Sequence, residues 1–120
     1  MTSTKTKKQE LGVKGEALAI DYLKAKGYEI LTQNYRSGRN EIDIICRHLK
    51  FLIFIEVKTR SDLLFGTPEE QVTEKQMDNI TEAAIDYMDT QDWSFIVRYD
   101  IVSVIINSTG NHIQHFEDAF

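Results

Sequence analysis

Four charged residues interrupt two strongly apolar segments in the middle of the chain, and their spacing suits metal chemistry. Glu41 and Asp43 lie in the first segment, and Glu56 and Lys58 lie in the second. Side chains alternate between the two faces of a strand, so each pair shares one face of its strand. Two carboxylates forced together favour a bound cation, and Mg²⁺ is usually held by one or two carboxylates together with waters and phosphate oxygens. The lysine could steady charge that develops on an attacked phosphate.

The two segments, residues 41–47 and 51–59, are predicted to form a β-hairpin. Both are rich in Ile, Phe and Val, and a short polar stretch separates them. A turn at residues 49–50 pairs residues whose numbers sum to 99. Asp43 then faces Glu56, and the same register pairs the remaining glutamate with the lysine. Cβ atoms of facing residues lie about 4.5–5.5 Å apart, so two carboxylates there could grip one cation.

A purely structural explanation fits the same four residues. Glu41 and Lys58 would form a cross-strand ion pair, and Asp43 and Glu56 would lie on a solvated face of the sheet. Exposed strands often alternate charge in this way, although usually with Thr, Lys and Gln rather than with carboxylate facing carboxylate. The sequence alone leaves both explanations open.

The length of 120 residues suits one domain with a real core. Residues 1–9 are polar and predict a flexible arm, and residues 10–120 predict a single domain. The chain has one cysteine, no signal peptide and no long apolar run, so we expect a cytoplasmic protein with no membrane partner. Alternation places Cys46 on the face opposite Asp43, which predicts a buried packing residue rather than a nucleophile.

Charge is distributed very unevenly, although the net charge is −5. Residues 1–60 hold 12 basic and 7 acidic side chains, whereas residues 61–120 hold 2 basic and 12 acidic ones. The basic half carries the carboxylate cluster, so the surface around it is suited to a phosphate backbone. The alternative is that the charged residues are unevenly distributed along the chain without any functional reason.

The remaining pattern predicts a helix over 10–26, ended by Gly27, and a strand over 28–35 before the hairpin. After the hairpin it predicts a second helix that begins at the N-cap Thr73, with Gln76 as its capping-box partner, and ends at about Met88. A strand over 93–106 and a short strand over 112–116 follow. Glu16 falls on the apolar side of the first helix, where an unpaired carboxylate is costly. It is therefore either an acid neutralised by a neighbour or one aimed at the cation site.

Two further groups of charged or titratable residues are predicted to lie outside any functional site. Arg98 and Asp100 lie two residues apart on one face of a strand, which indicates a salt bridge rather than a second site. His112 and His115 stand near an acidic tail and are expected at the surface.

The order helix, three strands, helix, strand, with these acids, resembles the PD-(D/E)xK nuclease superfamily. The segments GVKGEALAIDYLKAKGYEIL, NYRSGRNEIDII, FIEVKTR, FGTPEEQV and RYDIV also resemble the YraN family of uncharacterised bacterial proteins, over about residues 12 to 104. That family is similar to archaeal Holliday junction resolvases. The resemblance implies an α/β fold with a restriction-endonuclease-like core, in which helices flank a mixed β-sheet.

The resemblance also implies roles for individual residues. Asp43 and Glu56 would be metal ligands, Glu16 an auxiliary acid and further ligand, and Lys58 the residue that orients or activates the attacking water. The candidate supporting residues are Glu41, Arg60, Gln71 and Lys75.

The implied activity is a Mg²⁺- or Mn²⁺-dependent endonuclease acting on structured or damaged DNA, including branched DNA. A homodimer is expected by analogy with junction resolvases. The alternative is a non-catalytic nucleic-acid-binding or protein-interaction module on the same fold, because a fold does not dictate a function.

Overall fold

Five strands form one mixed sheet with a helix on each face, in a computed structural model that describes residues 6–61, 72–91 and 95–120. The elements are α1 (Lys7–Ala25), β1 (Glu29–Ser37), β2 (Asn40–His48), β3 (Phe51–Arg60), α2 (Glu74–Asp89), β4 (Ile96–Asn107) and β5 (Gly110–Phe116). The strands lie side by side in chain order, and every neighbouring pair is antiparallel except β3 and β4. This α/β architecture confirms the predicted fold class, with β5 as an added edge strand.

The two helices cover opposite faces of the sheet because β3 is apolar on both sides. Ile53 and Ile55 pack with α1, whereas Leu52 and Phe54 pack with α2. The side chains of all four are fully buried. A strand buried on both faces reads as a continuous apolar run, as β3 does. The centre of the sheet is thereby fixed, and the candidate site residues lie at its end.

Helix α1 begins three residues earlier than predicted. The Thr6 hydroxyl accepts a hydrogen bond from the Gln9 backbone N–H, and the Gln9 side chain accepts one from the Thr6 N–H. This capping box satisfies two N–H groups that a helix start otherwise leaves without partners. Residues 7–9 are therefore the first turn of α1, and the prediction that they belong to a flexible arm was wrong. The helix ends as predicted, with Gly27 at a φ of 87°.

Helix α2 has the predicted start, since Thr73 and Gln76 form the same reciprocal pair. The following strand begins at Ile96, and the predicted strand start at Trp93 lies outside the described residues, as does most of the segment FGTPEEQV. Neither helix in the described ranges is long and apolar enough to cross a membrane.

The hairpin of β2 and β3 has the predicted register over only half of its length. The paired residues run from His48 opposite Phe51 to Ile44 opposite Ile55, and each pair sums to 99. Beyond that point β2 pairs with β1 alone and β3 with β4 alone. The predicted facing pairs of acid with acid and acid with lysine are therefore not ladder partners, because the two strands separate before reaching them.

Strand β2 also breaks its alternation at the point of separation. Ile42 and Ile45 both pack with α2, although residues three apart should face opposite sides of a regular strand. Opposite this point in β1, Asn34 adopts a φ of 51°, which few residues tolerate. Asp43 lies at this break and lines openings on both sides of the sheet. Simple alternation therefore does not decide whether Cys46 and Asp43 face opposite sides, whereas Cys46 is fully buried as predicted.

A buried polar network joins β4 to β5 at the other end of the sheet. Arg98 donates to both carboxylate oxygens of Asp100 at 2.9 Å, which confirms the predicted salt bridge. His115 Nε2 lies 2.7 Å from Asp100 Oδ2, and its side chain is only 3% exposed. The surface placement predicted for His115 was wrong because Asp100, buried inside the sheet, needs that partner. His112 is exposed as predicted.

Close packing of α1 on β3 depends on a glycine. A Cβ atom added at Gly15 would lie 1.9 Å from the Thr59 hydroxyl oxygen and 2.7 Å from the Thr59 Cβ, so no larger residue fits without a shift of the helix. At Gly12, one turn earlier, an added Cβ would meet no atom within 4 Å. The glycine at position 15 therefore sets the distance between α1 and the sheet, directly beside Glu16.

We expect Gly15→Ala to lower the free energy of unfolding by about 1–3 kcal/mol, because the added methyl group overpacks the contact with Thr59. Gly12→Ala is the matched control and should raise it by up to about 1 kcal/mol, since alanine favours a helix over glycine. Urea unfolding followed by circular dichroism measures both. Equal stability of the two variants would contradict the close approach.

Candidate functional site

A cleft opens where β2 and β3 separate, and it brings together residues from α1, β2 and β3. Its volume is about 730 Å³ on the side of α1. A smaller opening of about 200 Å³ lies on the side of α2, and Asp43 and Glu56 line both. The main cleft is lined by Lys8, Leu11, Gly12, Glu16, Asp43, Glu56, Val57, Lys58, Thr59, Arg60 and Ser61. The two acids at the point of separation are thus reachable from either face of the sheet.

Asp43 closes the gap left by the missing ladder bonds. Its Oδ2 accepts a hydrogen bond of 2.8 Å from the Val57 backbone N–H. Burial raises the pKa of Asp43 to about 6, and the negative charge of Glu41 adds to that rise, while the Val57 hydrogen bond and the Lys58 charge oppose it. One carboxylate oxygen is therefore committed to the backbone, and the group as a whole holds a proton or a cation more readily than an exposed aspartate.

Glu56 and Lys58 form a loose ion pair at the base of the cleft. Lys58 Nζ lies 3.8 Å from Glu56 Oε1, and the two side chains are 18% and 17% exposed. Burial raises the pKa of Glu56 to about 8, and the charge of Asp43 contributes next, against the opposing charge of Lys58. Glu56 is therefore the carboxyl with the strongest tendency to keep its proton unless a cation reaches it.

Glu16 reaches the cleft from α1, and it also has the polar neighbour that the other alternative from the sequence expects. Burial raises its pKa to about 7, and the charges of Asp43 and Glu41 raise it further. Its Oε1 lies 2.9 Å from the amide of Asn34 on β1. The charges of the other acids thus act on Glu16, which also has a hydrogen-bond partner in Asn34.

The supporting candidates occupy different places. Glu41 forms a salt bridge of 3.0 Å with Arg36 rather than with Lys58, and it lines the opening on the side of α2. Arg60 lines the main cleft. Lys75 is exposed in the first turn of α2 and lines neither opening. Gln71 lies outside the described residues.

The chemistry of the pair Asp43 and Glu56 fits a hard divalent cation such as Mg²⁺. Both supply oxygen donors, Mg²⁺ commonly takes only one or two carboxylates, and the cleft has room for waters and phosphate oxygens. Within residues 6–61, 72–91 and 95–120, no three His, Cys, Asp or Glu side chains converge to hold a metal ion. Glu16 as a third direct ligand therefore stays a prediction.

Two polar residues of this site were missed by the sequence reasoning. Lys8 lines the cleft, but it was assigned to an arm although Thr6 and Gln9 carry the spacing of a capping box. Asn34 contacts two carboxylates, and nothing in the strand pattern singles it out. Cys46 takes no part, because burial raises the pKa of its thiol to about 12.

The raised pKa values predict that stability falls as pH increases from about 5 to about 8. A carboxyl whose pKa is higher in the folded than in the unfolded chain binds its proton more tightly when folded, so deprotonation over this range favours unfolding. We expect a loss on the order of 2 kcal/mol in buffer with EDTA. Glu56→Gln should flatten the dependence most, whereas Glu10→Gln, which removes an exposed acid outside the cleft, should not change it. Urea unfolding at each pH measures this, and stability that rises with pH would contradict it.

Comparison with known proteins places the chain in a family. The profile of the uncharacterised protein family UPF0102 matches residues 15–104. A UPF0102 protein of Christiangramia forsetii is 45% identical over 111 residues, covering 92% of this chain and 93% of the relative. Relatives in Chlorobium limicola and Syntrophomonas wolfei are 43% and 39% identical, and each covers at least 92% of this chain and at least 91% of the relative. The resemblance stated from the motifs is confirmed, and the chain belongs to the YraN family, UPF0102.

Proposed function

We propose that this protein is an endonuclease that hydrolyses phosphodiester bonds in structured or damaged DNA with Mg²⁺ or Mn²⁺ as cofactor. The observation that carries the proposal is the convergence of Glu16, Asp43, Glu56 and Lys58 in one open cleft. These residues come from three separate elements, and each carboxyl has a pKa well above its ordinary value. Acids with strongly shifted pKa values in a cleft are typical of functional sites.

Charge supports an approach of DNA from the side of α1. The main cleft carries Lys8, Lys58 and Arg60 at its walls and rim. Helix α2, on the other face, holds one lysine against five acids, which are Glu74, Asp78, Glu82, Asp86 and Asp89. A polyanion is attracted to the first surface and repelled by the second. The substrate would therefore meet the acid pair through the larger opening.

The residues of the cleft can divide the work of hydrolysis among them. Asp43 and Glu56 would hold the divalent ion, which when bound supplies a polarised phosphate and a more acidic water. The Lys58 ammonium, next to Glu56, can donate a hydrogen bond to the attacking water or to a phosphate oxygen. Glu16, with a pKa of about 7, can accept and release a proton near neutral pH. Attack of the water oxygen on phosphorus then breaks the bond to the leaving sugar oxygen; the attacking water gives up its proton to Glu16, and another water of the cleft protonates the leaving oxygen.

The second candidate is a non-catalytic module that binds nucleic acid or protein, and one observation favours it. The described residues hold no cluster of three metal-ligating side chains. In that function the acids would keep protons instead of a cation, and Lys58 would only balance charge. A homodimer is compatible with either function and stays a prediction.

Lys58 separates the two candidates. In the nuclease, Lys58→Met should keep DNA binding but slow cleavage by about 10²–10⁴-fold, the scale of one lost catalytic group. The measurement is single-turnover cleavage, in Mn²⁺, of a four-way junction and of nicked and flapped duplexes.

The matched control is Lys50→Met, which removes an exposed lysine from the hairpin turn, about 20 Å from Glu56 by the rise of a strand. It should cleave like the parent, and Asp43→Asn should not cleave at all. Equal residual cleavage by all four proteins would indicate a contaminating nuclease, and the assignment as an enzyme would lose its support.

Salt dependence tests the DNA surface without requiring cleavage. The logarithm of the DNA affinity should fall linearly with the logarithm of salt concentration, with a slope of about 0.9 for each phosphate contacted. Lys8→Gln should reduce that slope by the amount expected for one phosphate contact, whereas Lys50→Gln should leave the slope unchanged. Fluorescence anisotropy with labelled junction and duplex DNA provides the measurement. A flat response in the parent protein would exclude a phosphate-binding surface.

A further inference from the structure

Asn34 joins two of the acids around the cleft. It lies in β1 opposite Asp43, between the paired residues Gln33 and Tyr35. Its side-chain amide is 2.9 Å from Glu16 Oε1 and 3.1 Å from Glu41 Oε1. The atom that faces them must be the amide nitrogen, because an oxygen there would oppose two carboxylate oxygens.

The amide of asparagine suits this place for a chemical reason. A primary amide carries two N–H donors on one nitrogen, so it can give one hydrogen bond to each of two carboxylates while adding no charge. A hydroxyl offers one donor, and a lysine adds a full charge to the site. Asn34 therefore reduces the repulsion between Glu16 and Glu41 without occupying the place of a cation.

The bridge is anchored to the sheet at its far end. The second oxygen of Glu41 forms a salt bridge of 3.0 Å with Arg36, which is also its ladder partner in β1. A continuous chain of contacts thus runs from Arg36 through Glu41 and Asn34 to Glu16. Through it the hairpin of β1 and β2 holds the carboxylate of a residue that belongs to a helix.

We propose that Asn34 is a positioning residue for the cleft, whose amide holds Glu16 beside the pair Asp43 and Glu56. This role rests on the proposed hydrolysis. Glu16 then works next to the pair, on the attacking water or on the substrate, and not as a third ligand.

The competing explanation is that asparagine occupies position 34 only because the backbone there is left-handed. Its φ of 51° lies in the left-handed region, which asparagine, aspartate and glycine tolerate better than other residues. Glycine and aspartate therefore preserve the backbone and remove the bridge in different ways. Asn34→Gly deletes the amide, and Asn34→Asp replaces it with a third carboxylate of nearly the same shape.

Stability decides whether the bridge exists, without any activity. At pH 8 in EDTA, the equilibrium constant for folding should fall about 3–10-fold in Asn34→Gly and about 10–100-fold in Asn34→Asp, since the new charge faces two others. In a background with Glu16→Gln and Glu41→Gln, the disadvantage of aspartate against glycine should disappear. Equal stability of all three residues at position 34 in the parent background would overturn the bridge.

Single-turnover cleavage at saturating DNA decides whether the bridge positions Glu16. Asn34→Gly should slow cleavage by no more than Glu16→Gln does, and the double variant should be no slower than Glu16→Gln alone, because the position of the side chain no longer matters once its carboxylate is gone. Gln33→Ala, at an exposed neighbouring residue, is the control and should cleave like the parent.

A parental rate in Asn34→Gly, or rate losses that multiply in the double variant, would overturn the positioning role while leaving the proposed hydrolysis intact. A parent protein that cleaves no DNA would overturn the hydrolysis and the positioning role with it. The stability comparison would then still decide whether Asn34 bridges the two acids.

Discussion

The hydrogen bond from the Val57 N–H to the Asp43 carboxylate is the interaction on which the cleft depends. Two strands that separate inside a sheet leave backbone groups without partners, and a buried N–H without an acceptor costs about 1–3 kcal/mol. Asp43 supplies that acceptor from its side chain at 2.8 Å. The sheet can therefore open at its end with the Val57 N–H still hydrogen-bonded. The Asp43 carboxylate thus bonds the N–H that the opening exposes, and it is also one of the two that would bind the proposed divalent ion.

The close packing of α1 on β3 determines the electrostatics of the cleft. Gly15 allows the helix to approach Thr59 closely, and this approach buries Glu16 among the other acids. Burial is the largest cause of the raised pKa at Glu16, Asp43 and Glu56. The site is thus built at some expense of stability, which is common where a fold carries function. A bound divalent ion would offset that cost by neutralising the carboxylates.

Local signals in the sequence predicted the register of the hairpin next to its turn, the start of α2 and the salt bridge of β4, because each depends on residues close together in the chain. The features that the sequence did not predict depend on distant partners. The break in alternation around Asp43 lies opposite the left-handed backbone of Asn34, a residue of another strand. His115 is buried because Asp100 lies beside it across the sheet. The early start of α1 is different, since its capping box was present in the sequence and was overlooked.

The network at the far end of the sheet gives the molecule two regions with opposite responses to acid. Burial opposes ionisation of Asp100, but hydrogen bonds from His115, Arg98 and the Asp118 backbone N–H hold its pKa below the ordinary value. Its contribution to stability is present above the pKa of the unfolded chain and is lost as pH falls through the folded pKa. Acid therefore weakens the contacts between β4 and β5, whereas a rise in pH from about 5 to about 8 weakens the region where β2 and β3 separate. Backbone amides at one end of the sheet should therefore exchange faster in acid, and those at the other end should exchange faster as pH rises.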